Sequence, residues 1–368
     1  MLSTIKCLDF SRVLAGPLAT MILGDLGVHV LKVERPGSGD DTRGWGPPFD
    51  ERGESAYYLS VNRNKKSIAL DLDVPEDAAV ALTLARDADI VIDNFRPGTL
   101  ERRGIDPEAL LESIPGLIWC TITGFGEESA RVGYDLVVQA EAGWMAITGE
   151  PDGDPMKVGV ALADIIAGKD AAIAMLAALA RRALSSEPVP AFERRIHISL
   201  ADSAVAALVN VAQNSLVTGE NAKRWGNQHP NLVPYQLFHA SDRPFIVAVG
   251  SDAQWKACAV ALDLDDLADD HSLSTNAGRL AQRERVVSIL SDRLREDSAD
   301  EWTLKLSAAG VPCGVVRSVL EAVHDAGGSA VTGIPPSVPG SVRLLPPRLD
   351  EHGAEIRRLG WNAFGQTA

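Results

Sequence analysis

The sequence predicts an α/β protein built on a parallel sheet, with a second, smaller domain. Two observations carry this: short β-branched runs alternate with amphipathic helical segments from Leu8 to about Leu184, and the alternation stops at a turn-rich stretch from Gly219 to Pro234. At 368 residues the chain is long enough for one large core and a modest second one.

Each element has its own justification. Leu8 opens a strand-turn-helix-strand unit whose helix runs from Pro17 to Leu26, with proline in the first turn, where its fixed φ and missing N–H are tolerated. Val28 to Val33 is the β-branched run of a buried parallel strand. Such a unit aims helix amides at a phosphate. The turn at Ala15, Gly16 and Pro17 lacks the spaced glycines of a dinucleotide fingerprint, so the cradle reads as a nucleotide site of another kind.

Further strands are expected at Ser67 to Leu72, Asp89 to Asp93 and Leu117 to Ile122, with a helix at Ala78 to Arg86. Asp164 opens an apolar helix that runs to Ala183, a proline-containing break covers Glu187 to Phe192, and a strand at His197 to Leu200 leads into a helix from Asp202 to Leu216. Phe245 to Val249 and three helical patterns, near Ala253 to Leu262, Asn276 to Leu294 and Ala299 to Ala309, form the smaller domain. Past Gly310 come another strand and helix, a Pro/Gly-rich run and a short helix ending at Leu359. Internal repeats are absent.

A net charge of −15 excludes a nucleic-acid surface, which needs a clustered basic face. No stretch reaches the ~18 apolar residues of a membrane span, and the N-terminal residues lack a signal-peptide layout, so a cytoplasmic protein with no membrane partner is expected. Cys7, Cys120, Cys258 and Cys313 lack paired spacing and read as small buried apolar residues. His29, His197, His239, His271, His324 and His352 show no ligand spacing, so no metal is expected. Ser11 and Ser199 lack a nucleophile elbow. By its position alone Asp164 suits a helix N-cap, and Tyr134 a core aromatic with its hydroxyl satisfied.

Read in order, a set of short motifs resembles the class III CoA-transferases, a family that also holds 2-methylacyl-CoA racemases and carnitine-metabolising CoA-transferases. The set comprises Asp9-Phe10, Ala15-Gly16-Pro17, Leu26-Gly27, Lys32 to Arg35, Gly37 to Asp40, Asn62 to Ser67, Asp93 to Gly98, Gly124 to Gly126 and Gly133-Tyr134-Asp135. It continues through Thr148-Gly149, Ala163-Asp164, Gly168, Gly226 to Asn231, Gly310 to Gly314 and Pro346 to Leu349, nearly the whole chain.

The resemblance implies a large Rossmann-like domain made from N- and C-terminal parts (residues 1–218 and 311–368), a linker and active-site loop (219–234) and a small α+β domain (235–310). It also implies an obligate, interlocked homodimer. Asp164 matches the family's nucleophile, which forms an aspartyl anhydride and then an aspartyl-CoA thioester; a helix N-terminus there favours the ionised carboxylate. The racemases carry histidine where this chain has Tyr134, and a phenol of pKa near ~10 is a poor proton-exchange partner, so the transferase branch is expected. A 2-methylacyl-CoA racemase and a CoA-binding protein without catalysis are the alternatives.

By resemblance Val13, Leu14, Arg35, Leu70, Asp71, Leu72, Asp73, Asn94, Phe95, Arg96 and Arg102 lie along CoA. Gly226, Asn227, Gln228 and His229 match a loop that shields the anhydride from water; in the formyl-CoA transferases it is a glycine run, and His229 here argues against formyl-CoA and oxalate. CoA and acyl-CoA are substrates, no cofactor is held tightly, and a carboxylic acid is the other reactant.

Overall fold

The computed structural model describes residues 2–129 and 131–365. Six parallel strands form the main sheet: β1 (Lys6–Asp9), β2 (His29–Glu34), β3 (Lys65–Ala69), β4 (Ile90–Asp93), β5 (Ile118–Thr123) and β6 (Arg195–Ser199), in the order β3-β2-β1-β4-β5-β6. That is the doubly wound order, with its switch point between β1 and β4. Ligands bind there because the loops leaving the two central strands diverge to opposite faces.

The strands are apolar on both faces because helices cover both. Alternate residues divide cleanly. Cys7, Ile90, Ile92 and Cys120 pack with helices α1 (Ala15–Asp25) and α3 (Leu162–Leu184). Leu8, Val91 and Trp119 face the other layer, where the helix at Pro75–Arg86 and the C-terminal residues Ile356 and Trp361 close the core. Between β5 and β6 lies a further helix, α2 (Asp135–Glu141).

Residues Met1–Met145, Lys157–Glu220 and Val323–Ala368 make one compact unit, and Ala146–Met156 with Asn221–Ala322 make another. The second unit holds an antiparallel sheet, β7 (Tyr235–His239), β8 (Pro244–Ala248) and β9 (Cys313–Val315), in that order. The strand expected to begin the return at residue 311 instead pairs with β8 through Cys313, Gly314 and Val315, so the chain rejoins the first unit only after residue 322. Hydrogen bonding to a neighbour, invisible in local pattern, decides that boundary. The expected helix from Asp202 to Leu216 is two helices, Leu200–Ala206 and Val209–Thr218, bent by 72°. Val209 takes a left-handed φ of 43°, which no straight helix contains. Among the described residues no single helix is long and apolar enough to cross a membrane, though that bent pair passes by length and composition.

Helices α1 and α3 approach closely because Gly168 has no side chain: a Cβ there would lie 2.6 Å from the Ala15 carbonyl oxygen. Gly168→Ala therefore costs about 1–3 kcal/mol of stability, read from a urea midpoint, whereas Gly314→Ala, with open space around it, leaves the midpoint in place.

Candidate active site

The site begins where two glycines touch. A Cβ on Gly124, just past β5, would fall 2.4 Å from the Gly133 Cα, so the two backbones meet directly and the following residues are placed against the end of β5. Tyr134 then stands at the N-cap position of α2, 59% exposed. Asp135 turns inward, and its Oδ1 accepts from the backbone N–H of Ala163 at 2.8 Å and of Asp164 at 3.4 Å. Its Oδ2 accepts from Gln139 Nε2 at 2.6 Å. Buried Gln139 in turn accepts from the Val158 N–H at 2.9 Å, fixing the chain that enters α3.

Asp135 thus caps α3, the task that position alone suggested for Asp164. The Asp164 carboxyl, half-buried in the first turn of α3, has no hydrogen-bond partner among the described residues. Burial, followed by the nearby charge of Asp135, raises its pKa from 3.8 to about 7. The expected bias of the helix N-terminus toward the ionised form is outweighed, because the carboxyl is desolvated and faces a second acid. Tyr57 belongs to the same cluster: burial, then the charges of Asp164, Asp135 and Asp40, lift its phenol to about 12. Sequence reading missed Tyr57 and Asp135; the motif Gly133-Tyr134-Asp135 signals a second carboxylate but not its target.

Asp164 and Tyr134 line a cleft of about 620 Å³ together with Val13, Leu14, Asn94, Phe95 and Arg96. These seven expected residues are brought together. A neighbouring cavity of about 110 Å³ is walled by Arg35, Leu70, Asp71, Leu72, Asp73 and again Phe95. Arg102 lines neither; the adjacent Arg103 does, pairing with Asp73 at 2.7 Å. Asn94 reaches the cleft, but its amide is engaged at both ends, accepting from the Arg12 N–H at 2.9 Å and donating to the Arg12 carbonyl at 2.7 Å. It braces the loop after β1.

That loop is held from below by buried charge. Lys32 pairs with Asp40 at 2.9 Å and donates to the Ser11 carbonyl at 2.8 Å, and Lys65 pairs with Asp9 at 3.1 Å. Burial opposes ionisation of Asp9, but Lys65 and Lys32, with hydrogen bonds from Ser11 and Thr20, overcome it and hold the carboxyl below its usual range. Asp40 is lowered to about 2: burial is opposed and exceeded by Lys32 and by hydrogen bonds from Thr42 and Lys32. Asp40 also accepts from the Val13 N–H at 3.3 Å, which holds that β-branched residue at a φ of 73°. A left-handed valine is a genuine outlier, and its surroundings over-determine it.

Gly226, Asn227, Gln228 and His229 lie in the second unit. Gly226 adopts a φ of 57° and donates to the Gly149 carbonyl at 3.1 Å, while Arg224 donates to the carbonyls of Glu150 and Gly153 at 3.1 and 2.7 Å. The His229 ring lies 5.1 Å from that of Tyr235, tilted by 55°, and its Nδ1 accepts from the Asn231 N–H. The loop is therefore tied to Ala146–Met156.

A half-buried carboxyl with a raised pKa thus lines a cleft beside the switch point of a doubly wound sheet, where sheets of this kind bind their ligands. The model of CoA-transferase family III matches residues 2–352, and the chain belongs to that family as a class III CoA-transferase. The succinyl-CoA:glutarate CoA-transferase of Homo sapiens is 42% identical over 321 residues, 86% of this chain and 72% of that one. The succinate–glutarate CoA-transferase of Agrobacterium fabrum is 41% identical over 332 residues, covering 88% and 82%. A CAIB/BAIF family protein from Brucella suis has the same fold, with a TM-score of 0.85, 37% identity and 97% and 98% of the two chains covered.

Because the folded protein binds the Asp164 proton more tightly than the unfolded chain does, stability falls as pH rises from about 4 to about 7 and the full penalty persists above that. Asp164→Asn is expected to melt higher than the parent at about pH 8, with the gain shrinking by about pH 5.5. An unchanged or lower melting temperature at the higher pH contradicts the raised pKa.

Proposed function

We propose that this enzyme transfers CoA from a dicarboxylic acyl-CoA to a dicarboxylic acid through covalent intermediates on Asp164. The observation that carries the reading is the Asp164 carboxyl itself: it lines the cleft, makes no protein hydrogen bond among the described residues, and is relieved of capping duty by Asp135. Its carboxylate attacks the thioester carbonyl, the C–S bond breaks, and the products are a mixed anhydride and CoA thiolate. The thiolate attacks the Asp164 acyl carbon, releasing the first acid and leaving an aspartyl-CoA thioester. The acceptor carboxylate then displaces thiolate from that thioester, and the thiolate attacks the acceptor's carbonyl, forming the new acyl-CoA and restoring Asp164.

A thioester carries a good leaving group, so the sequence needs no general acid. Tyr134, a phenol on the cleft wall where the racemases carry a histidine, supports transfer over racemisation. The dicarboxylic class is supported by the relatives, whose names specify succinyl-CoA with glutarate. The acyl and pantetheine end of CoA occupies the larger cleft, and the adenosine end lies toward Leu70 to Asp73. The working form is an obligate homodimer; Val209, Leu216 and Val217, each more than 70% exposed on one helix, give an apolar face that a second copy would cover.

Succinyl-CoA with hydroxylamine is expected to place a hydroxamate on the peptide holding Asp164, detected by mass; turnover without it overturns the intermediate. Asp164→Ala abolishes transfer to glutarate while CoA binding by calorimetry stays near the parent value. The pH profile offers a further check. Because only the ionised carboxylate attacks, kcat/KM rises with pH and levels off above about 7, and Asp135→Asn, which keeps the cap but removes the charge, moves that rise to lower pH.

A further inference from the structure

The larger cleft and the smaller cavity share two walls, Phe95 and Arg12. Arg12 is the conspicuous one. Its backbone is pinned by both ends of the Asn94 amide, so the side chain departs from a fixed point. The guanidinium lies 5.2 Å from the centre of the Phe95 ring, and among the described residues only Nη1 is paired, with Asp41 Oδ2 at 3.1 Å. Its Nε is buried with no hydrogen-bond partner among the described residues. A buried guanidinium nitrogen without an acceptor is unfavourable, and the group that best satisfies it is an anion.

Asp41 extends the arrangement. Its other oxygen, Oδ1, accepts from Arg35 Nη2 at 2.7 Å, so one carboxylate holds two guanidinium groups at the mouth of the smaller cavity and leaves the trio with a single net positive charge. Three of the acids lining the smaller cavity are matched by cations of their own. Glu34 is held by Arg43 at 2.8 Å, Asp40 by Lys32 at 2.9 Å and Asp73 by Arg103 at 2.7 Å, while Asp71 accepts from the Asp73 N–H. In the larger cleft Glu127 lies 2.9 Å from His197 and 4.0 Å from Arg195, and Arg131 pairs with Glu141. At the passage between the cavities the Arg12–Asp41–Arg35 trio keeps one positive charge beyond its own carboxylate.

We propose that Arg12 binds the diphosphate of CoA, with Asp41 as the positioning residue that aims Arg12 and Arg35 at it. This rests on the CoA site described above. The smaller cavity, with apolar walls of Phe95, Leu70 and Leu72, takes a flat ring system, and the larger takes the acyl-pantetheine arm; the 5′-diphosphate is the part of the molecule that joins those two ends. Arg12 stands at that junction, and Phe95 beneath it keeps the guanidinium flat and partly desolvated, which strengthens its hold on an anion.

The test compares Arg12→Gln and Arg12→Lys with the parent on three donors: succinyl-CoA, its 3′-dephospho analogue, and the succinyl thioester of pantetheine, which has no phosphate. Arg12→Gln is expected to lower kcat/KM on the order of 10–100-fold for the first two, with the pantetheine thioester within about twofold of the parent. Arg12→Lys recovers part of the loss. Equal loss on all three donors makes Arg12 structural and overturns the proposal, as does no loss at all. Loss on succinyl-CoA alone moves the contact to the 3′-phosphate and overturns the diphosphate assignment. Calorimetric binding of CoA and 3′-dephospho-CoA to the parent and to Arg12→Gln decides the matter independently of turnover: a parent that binds CoA without transferring it contradicts the reaction, whereas unchanged affinity in the variant contradicts the role of Arg12.

Discussion

Four buried charges under the switch point govern the geometry of everything above them. Asp9, Lys32, Asp40 and Lys65 are almost wholly buried, and such groups are tolerated only when paired and hydrogen-bonded in full. Each pairing also reaches the backbone of one short loop: Asp9 accepts from the Ser11 N–H, Lys32 donates to the Ser11 carbonyl, and Asp40 accepts from Val13. Removing any member leaves an uncompensated buried charge. The loop is therefore rigid at the place where Arg12, Val13 and Leu14 meet the cleft, and Asn94 fixes it from the β4 side. The worth of this lattice lies in the single conformation it imposes, since a buried ion pair contributes little net stability over an apolar replacement.

A division of labour between two aspartates follows the same logic at the other wall. A helix N-terminus must have its N–H groups satisfied, and an aspartate in its first turn would ordinarily turn back to do it. Because Asp135 arrives from α2 to satisfy Ala163 and Asp164, the Asp164 side chain is left facing the cleft. Desolvation, with the nearby charge of Asp135, then raises its pKa to about 7. The close pair of Gly124 and Gly133 brings Asp135 within reach; side chains there would push α2 away.

The C-terminal segment belongs to the first unit for equally concrete reasons. Arg43 donates to the Pro347 carbonyl, Asn64 Oδ1 accepts from the Arg343 and Leu344 N–H groups, and Asp350 accepts from the Ala69 N–H at the end of β3. Val13 and Arg43 are thus linked through the β2 and β3 ends to residues some three hundred positions later.

Much of this was legible in the sequence. The parallel strands declare themselves because burial on both faces demands continuous apolar runs, and Asp164, Tyr134 and the loops after β1 and β4 stand in motifs whose spacing is fixed by strand and turn lengths. Local pattern determined the sheet and the long helix α3, and the ordered motifs carried the family. It could not say that Cys313–Val315 would join the small sheet, that the helix after Leu200 would bend at Ala207–Leu208, or that Ala146–Met156 would leave the first unit. Those outcomes depend on partners far along the chain. The tertiary structure alone decided that Asp135 rather than Asp164 caps the helix, that Asn94 braces a backbone, and that Arg12 keeps a buried nitrogen unpaired, because a hydrogen bond made or left unmade is a property of two groups in space and not of either residue's neighbours in sequence.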